Sequence, residues 1–225
     1  MNKTHQSIYD SIITSGYEDK SLTYIFETAG GFKREYCVAD LFDRIEGTEI
    51  EALSCIAKGD RLLDAGAGGG RISSYLQARA FYVTALEKSR AACGILKKRG
   101  LKNVVNDDIF RYIPVRKYDA VLFFHAWSIL GKDKDSISTI FHLLEKRLLN
   151  KNGRVFFAFK DCLLREGNPL KRRFVFKKQK GPWFKTHFFD SDKIITAGKK
   201  HGWFVQRFRI DALRQYSLIM ARQAK

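Results

Sequence analysis

"RLLDAGAGGGR", residues 61–71, runs an apolar pair, Leu62 and Leu63, into Asp64 and then sets four glycines in five positions. A buried strand ending in a glycine-rich turn lets backbone N–H groups approach a ligand that a Cβ would block. Spacing decides which nucleotide such a turn meets. A dinucleotide turn follows G-x-G-x-x-G, the third glycine allowing helix and strand to pack closely. Counted from Gly66, the second glycine is Gly68, but the third position falls on Arg71. A phosphate-binding P-loop needs Gly-Lys-Ser/Thr, which this chain does not contain. The glycines stand instead at 66, 68 and 70, with Asp64 two residues ahead.

Around this turn the pattern is one of alternating strands and helices. Apolar runs predict strands at 61–66, 82–87 ("YVTALE"), 103–108 ("NVVNDD"), 118–125 ("YDAVLFFH") and 154–160 ("RVFFAFK"). Helical periodicity falls between them, near 71–79, 89–99 and 136–149, the last stopping at the glycine of "NKNG". Apolar strands alternating with amphipathic helices imply a parallel sheet covered on both faces. Upstream, 5–15 and 46–57 are helical in pattern, with "KREYCVADLFDR" (33–44) more weakly so. After residue 160 the rhythm breaks. The aromatic and basic stretch 164–189 reads as a hairpin or two-strand insertion around Gly181-Pro182. A helix near 190–200 precedes "WFVQRFRI" and "YSLIMAR", whose short link permits an antiparallel pair but no parallel crossover. The fold expected is α/β: seven strands, mostly parallel, ending in an antiparallel pair, with helices on both faces.

The D-x-G-x-G-x-G spacing of Asp64, Gly66, Gly68 and Gly70 resembles motif I of the class I S-adenosylmethionine-dependent methyltransferases, and the downstream residues extend the likeness. Glu87 closes the second strand 21 positions after Gly66, "NDDIF" supplies Asp107, Asp108 and Ile109 at the end of the third, and the fourth ends at His125. The resemblance covers about residues 45–225. It implies S-adenosylmethionine as cofactor, with its methionine end at Asp64, Ala65, Gly66, Gly68 and Gly70. The ribose would lie at Glu87, the adenine at Asp108 with Ile109, and the methyl group beside His125, with Lys88, Asp107 and His125 also counted in the cofactor site. Within the family the chain looks most like small stand-alone bacterial enzymes. In several of these, "RRGPWF"-like and "THFF"-like segments lie between the fifth strand and the next helix. Residues 1–45 are then expected to form an N-terminal helical cap on a 46–225 catalytic domain, with a substrate-covering insertion at about 165–189.

The acceptor is less legible. The end of strand four, "FFHAWSIL", lacks the Asp/Asn-Pro-Pro-aromatic motif that related enzymes use on planar exocyclic amines. Cys162 has no Pro-Cys or Thr-Cys setting and reads as a structural thiol. His125 can act as a base near neutral pH or as a pocket wall, and His187 is a second candidate. Phe174, Phe176, Trp183, Phe184, Phe188 and Phe189 either wall an acceptor or form a packed hairpin face. Interleaved Lys171, Arg172, Arg173, Lys177, Lys178, Lys180 and Lys185 fit a nucleic-acid strip or a lysine-guarded strand edge.

Composition bounds the rest. At 225 residues, 45% apolar and 29% charged, the chain suits one domain with a full core. Cys37, Cys55, Cys93 and Cys162 are scattered without a CxxC pair, so neither a metal site nor disulfides are expected, and the location expected is cytoplasmic. No apolar run is long enough for a membrane span. The net charge of +17 is concentrated beyond residue 55. It fits an anionic partner (a carboxylate metabolite, an acidic peptide or RNA) or a solvated basic surface. The function expected is methyl transfer to an O or N atom of a small molecule or peptide; an RNA methyltransferase and a non-catalytic S-adenosylmethionine sensor are the alternatives.

Overall fold

Strands buried on both faces need helices on both sides, and the central strands here carry no polar alternation. In the computed structural model, which describes residues 4–126, 135–160, 170–186, 191–210 and 215–222, seven strands form the main sheet. They are β3 (Arg61–Ala65), β4 (Tyr82–Glu87), β5 (Val104–Asn106), β6 (Tyr118–Phe124), β7 (Leu149–Lys160), β11 (Trp203–Ile210) and β12 (Gln215–Arg222). Their order is β11-β12-β7-β6-β3-β4-β5. The pairs β3/β4, β4/β5, β3/β6 and β6/β7 are parallel, and β12 is antiparallel to both its neighbours. β3 therefore sits where the strand order reverses, and a crevice opens beyond the carboxyl ends there.

Alternate side chains of the sheet feed two cores. On one face Val121, Phe123 and Phe157 meet Ile140 and Phe141 of α5 (Ser136–Leu143) and Ile194 of α6 (Ser191–Lys200). On the other, Leu62, Leu122 and Phe156 meet Leu53 of α2 (Gly47–Ser54) and Ile72 and Leu76 of α3 (Arg71–Ala78). The seven-stranded α/β expectation matches this architecture, including the reversed strand near one edge.

A second sheet lies apart from the first. β1 (Thr23–Thr28), β2 (Lys33–Cys37), β8 (Leu170–Phe176) and β10 (Phe184–Thr186) run in the order β10-β8-β1-β2, and β9 (Gln179–Lys180) pairs with β8. Between this sheet and α4 (Arg90–Lys98) lies α1 (His5–Glu18), whose Ile8, Ile12 and Ile13 are buried with Tyr24, Phe176, Ala92 and Ile95.

Three local expectations are corrected. The weak helical pattern at 33–44 gives way to strand β2 followed by a 3₁₀ turn, Val38–Leu41, and "TYIFET" forms β1. The segment before residue 45 is therefore half helix and half hairpin: β-branched and aromatic residues pair across the sheet, and Gly31, at φ 84°, turns the chain between β1 and β2. The insertion hairpin turns at Lys177-Lys178, both at positive φ, instead of at Gly181-Pro182. Helix α5 ends at Leu143 and passes through a π-helical turn, Leu144–Leu148, so that "NKNG" lies inside β7.

Candidate active site

The glycine turn is shaped by close approach. Gly66, Gly68 and Gly70 have φ of 79°, 56° and 86°, a region costly for residues with a Cβ. Gly66 and Ala67 donate their N–H groups to Leu86 O at 2.9 and 3.1 Å, and Gly70 N donates to Ala67 O at 2.8 Å before α3 begins. A Cβ on Gly69 would collide with the Leu41 carbonyl and the Phe42 ring; one on Gly68 would stand 3.1 Å from the Tyr9 hydroxyl. The turn is therefore roofed by the N-terminal segment. Arg99 fixes that roof, its guanidinium donating to Gly69 O at 2.8 Å and Phe42 O at 3.0 Å.

Glu87, at the end of β4, braces the turn. Its Oε2 accepts from Gly68 N at 2.9 Å and its Oε1 from Ser89 N at 2.8 Å. Burial raises its carboxyl above the usual range, opposed by the Ser89, Gly68 and Lys88 amides. Ser89 in turn donates its hydroxyl to Asp10 of α1 at 2.6 Å. Asp64 is enclosed beneath the turn, its Oδ2 accepting from Ser73 Oγ at 2.6 Å. Burial pushes its carboxyl up to about 6, against the pull of Ser73 and Arg71.

The third strand's acidic pair lies at the far side of Glu87. Asp108 accepts from Phe110 N at 3.0 Å and pairs with Lys88 at 3.1 Å, while Asp107 accepts from Asp108 N at 2.7 Å. Ile109 is buried in the core below.

His125 follows β6 with φ 54°, and its N donates to Ala158 O of β7 at 2.7 Å. A left-handed backbone at a residue with a Cβ is uncommon and held only by its surroundings. Its Nε2 lies 3.4 Å from Glu49 Oε1 and 3.5 Å from Glu46 Oε2. The two carboxylates open α2 in a capping box, and Glu49, fully buried, is clasped on both oxygens by the Arg71 guanidinium.

The residues singled out in sequence thus form two groups, one around Glu87 and the glycine turn, the other around His125. Phe176 is core against α1, Phe174 and Phe184 stack at 5.5 Å on the cap sheet, and Trp183 stacks under Arg173. His187, Phe188, Phe189 and Cys162 lie outside the described residues. Tyr9, Asp10, Arg99, Glu46, Glu49 and Arg71 escaped the sequence reading. Only Glu46-x-x-Glu49 carried a signal, the spacing of a capping box, and it pointed to a helix start. Among the described residues no His/Cys/Asp/Glu group can hold a metal ion, and no helix is long and apolar enough to cross a membrane.

Comparison with known proteins shows what this fold is similar to. Residues 63–157 match the family model of a methyltransferase domain. No curated protein matches the chain. An S-adenosylmethionine-dependent methyltransferase from Bacteroides fragilis, solved with S-adenosyl-L-homocysteine, superposes with a TM-score of 0.84 at 18% identity, covering 98% of this chain and 97% of its own. The glycopeptide N-methyltransferase MtfA with S-adenosylmethionine gives 0.62 at 15%, covering 81% and 95%. The CcbJ methyltransferase from Streptomyces caelestis gives 0.64 at 14%, covering 83% and 96%. The chain shares the fold of these methyltransferase structures, and its central portion matches a methyltransferase domain. Two of these neighbours were solved with S-adenosylmethionine or S-adenosyl-L-homocysteine, so S-adenosylmethionine is the cofactor against which this site is tested.

The residues present fit that cofactor. A carboxylate offers about four acceptor sites, so the amides on Glu87 leave capacity for a ribose hydroxyl. They fit a pyrophosphate poorly, because Gly68 N–H is already given to a carboxylate. Bound, S-adenosylmethionine supplies an electrophilic methyl group on sulfur.

Two outcomes are expected. Glu87→Ala weakens S-adenosylmethionine binding by about 1–3 kcal/mol, measured by calorimetry. Asp64 has its folded pKa above its unfolded value, so its contribution to stability is complete in acid and lost as pH rises from about 4 through about 6. In urea unfolding, wild type therefore loses on the order of 3 kcal/mol relative to Asp64→Asn between about pH 4 and 7; a constant difference contradicts this.

Proposed function

We propose that the enzyme transfers the methyl group of S-adenosylmethionine to an O or N atom of a small molecule or peptide, at the His125 side of the crevice. The observation that carries this reading is His125 itself. It stands at the carboxyl end of β6, next to the strand-order reversal, in a backbone conformation maintained by its neighbours. Asp64, Ala65, Gly66, Gly68 and Gly70 hold the methionine end, Glu87 and Lys88 the ribose, and Asp107, Asp108 and Ile109 the adenine. His125 faces the acceptor, and His187, which lies outside the described residues, is the second candidate base. Residues 1–45 and the insertion near 165–189 together exclude water from the crevice, a reading supported by the shared sheet of β1, β2, β8 and β10. The cytoplasm is the compartment that suits Cys37, Cys55 and Cys93, none of which forms a disulfide.

A second reading, an RNA acceptor, draws on the cap sheet's outer face. There Arg173 lies 4.3 Å over the exposed Trp183 ring, with Lys171 and Lys185 exposed nearby on adjacent strands. Salt separates the two: RNA affinity falls steeply with ionic strength, whereas turnover on a small metabolite does not.

Incubation with methyl-labelled S-adenosylmethionine and fractionated lysate follows the label into small molecules, peptides or RNA. His125→Ala is expected to lower turnover by about 10²-fold or more with cofactor affinity within about twofold. Equal loss of both would reassign His125 to the cofactor pocket.

A further inference from the structure

His125 Nε2 is enclosed and makes no hydrogen bond, yet two carboxylates converge on it at 3.4 and 3.5 Å. A carboxylate only accepts, so a bare nitrogen lone pair aimed at Glu46 and Glu49 would be repelled, whereas an N–H is attracted. That fixes the proton on Nε2 and leaves the lone pair on Nδ1. A quarter of the His125 side chain is exposed (25%), and Nε2 has no part in that exposure.

The charges around the ring do not cancel. Glu46 and Glu49 come from α2, Arg71 from α3 and Asp64 from β3, the last coupled to both Arg71 and Glu49. The strand on the other side, β7, offers the Ala158 carbonyl. One guanidinium against two carboxylates leaves a negative surplus before Asp64 is counted. Such a place favours a cation and repels an anionic acceptor.

We propose that Glu46 and Glu49, steadied by Arg71, make His125 Nδ1 the proton acceptor of the enzyme, and that the methyl acceptor is an amine that arrives protonated. This rests on the acceptor lying on the His125 side of the crevice. An ammonium proton passes to Nδ1, and the resulting imidazolium is balanced by the two carboxylates. The freed nitrogen lone pair forms the N–C bond as the donor's C–S bond breaks and its electron pair leaves with sulfur. The product departs as a methylated ammonium, and His125 returns its proton to water. Imidazole, with an ordinary pKa of about 6.5, is matched to amines of about 8–10 far better than to an aliphatic hydroxyl. His125 is the catalytic residue here; Glu46, Glu49 and Arg71 are positioning residues.

The test needs no known substrate. In the full-length protein labelled with ¹⁵N-histidine, long-range ¹H–¹⁵N correlation reads the tautomer and titration of His125, assigned by the loss of its signal in His125→Gln. The neutral ring is expected as the Nε2–H tautomer. Glu46→Gln, which keeps an oxygen for the α2 cap and spares the Glu49–Arg71 clasp, is expected to lower the titration midpoint by about 0.5–1 pH unit. A neutral Nδ1–H tautomer, or an unmoved midpoint, overturns the proposal. The acceptor class is read from a lysate fraction that takes methyl label. Prior treatment with an amine-selective acylating ester is expected to cut labelling at least about tenfold, and undiminished labelling overturns the amine assignment. A lysate that takes no label before acylation counts against the acceptor reading above; the histidine tautomer and titration still decide the relay.

Discussion

The Glu87 carboxylate, held between Gly68 N–H and Ser89 N–H, is the contact on which the site depends. It ties the turn after β3 to the start of α4, so two parallel strands present one continuous lip to the crevice. Charge-assisted bonds to a buried carboxylate are worth about twice neutral ones, and they leave part of its acceptor capacity open. The same contact extends outward, because Ser89 passes it to Asp10 and the Tyr9 hydroxyl lies over Gly68. Burial, with Glu87 adding to it, holds the Tyr9 hydroxyl well above its ordinary pKa, so the group over Gly68 is a neutral hydroxyl. Cap and turn are thus one mechanical unit: displacing α1 would expose Gly68, and displacing the 3₁₀ turn would remove the wall against Gly69.

The charge of the molecule is divided between its inside and its outside. The chain's +17 resides on surfaces such as the cap sheet and its edges, where Lys33, Lys171, Lys177, Lys178, Lys180 and Lys185 are exposed. The crevice has the opposite composition, with Asp10, Glu46, Glu49, Asp64, Glu87 and Asp108 around it and Arg71 half-buried among them. Net charge describes the first encounter with a partner. The local carboxylates describe which groups are tolerated once a molecule is inside, and the cofactor itself carries a sulfonium.

The main sheet was legible because its strands are apolar on both faces and its helices are not: "YVTALE" is β4 to the residue, and "WFVQRFRI" is β11. The glycine turn was legible for a related reason, since glycine spacing and a carboxylate one strand away are local patterns. The cap was not. Tyr24 and Phe26 in "TYIFET" face α1, while Glu27 on the opposite face finds its partner in Arg173, 146 positions along the chain. A turn at Lys177-Lys178 has no glycine or asparagine to announce its positive φ. The carboxylates beside His125 were hidden for another reason. Glu46 and Glu49 read as a helix start, which they are, and their meeting with Arg71 and His125 exists only once α2, α3 and β6 have packed together.

Titration calorimetry with S-adenosylhomocysteine and, separately, NADH tests the central claim most directly, because the two ligands ask the same turn for an amino acid tail or a pyrophosphate. One-to-one uptake of S-adenosylhomocysteine and no uptake of NADH is the predicted result. Binding of NADH, or no heat with S-adenosylhomocysteine, would contradict it.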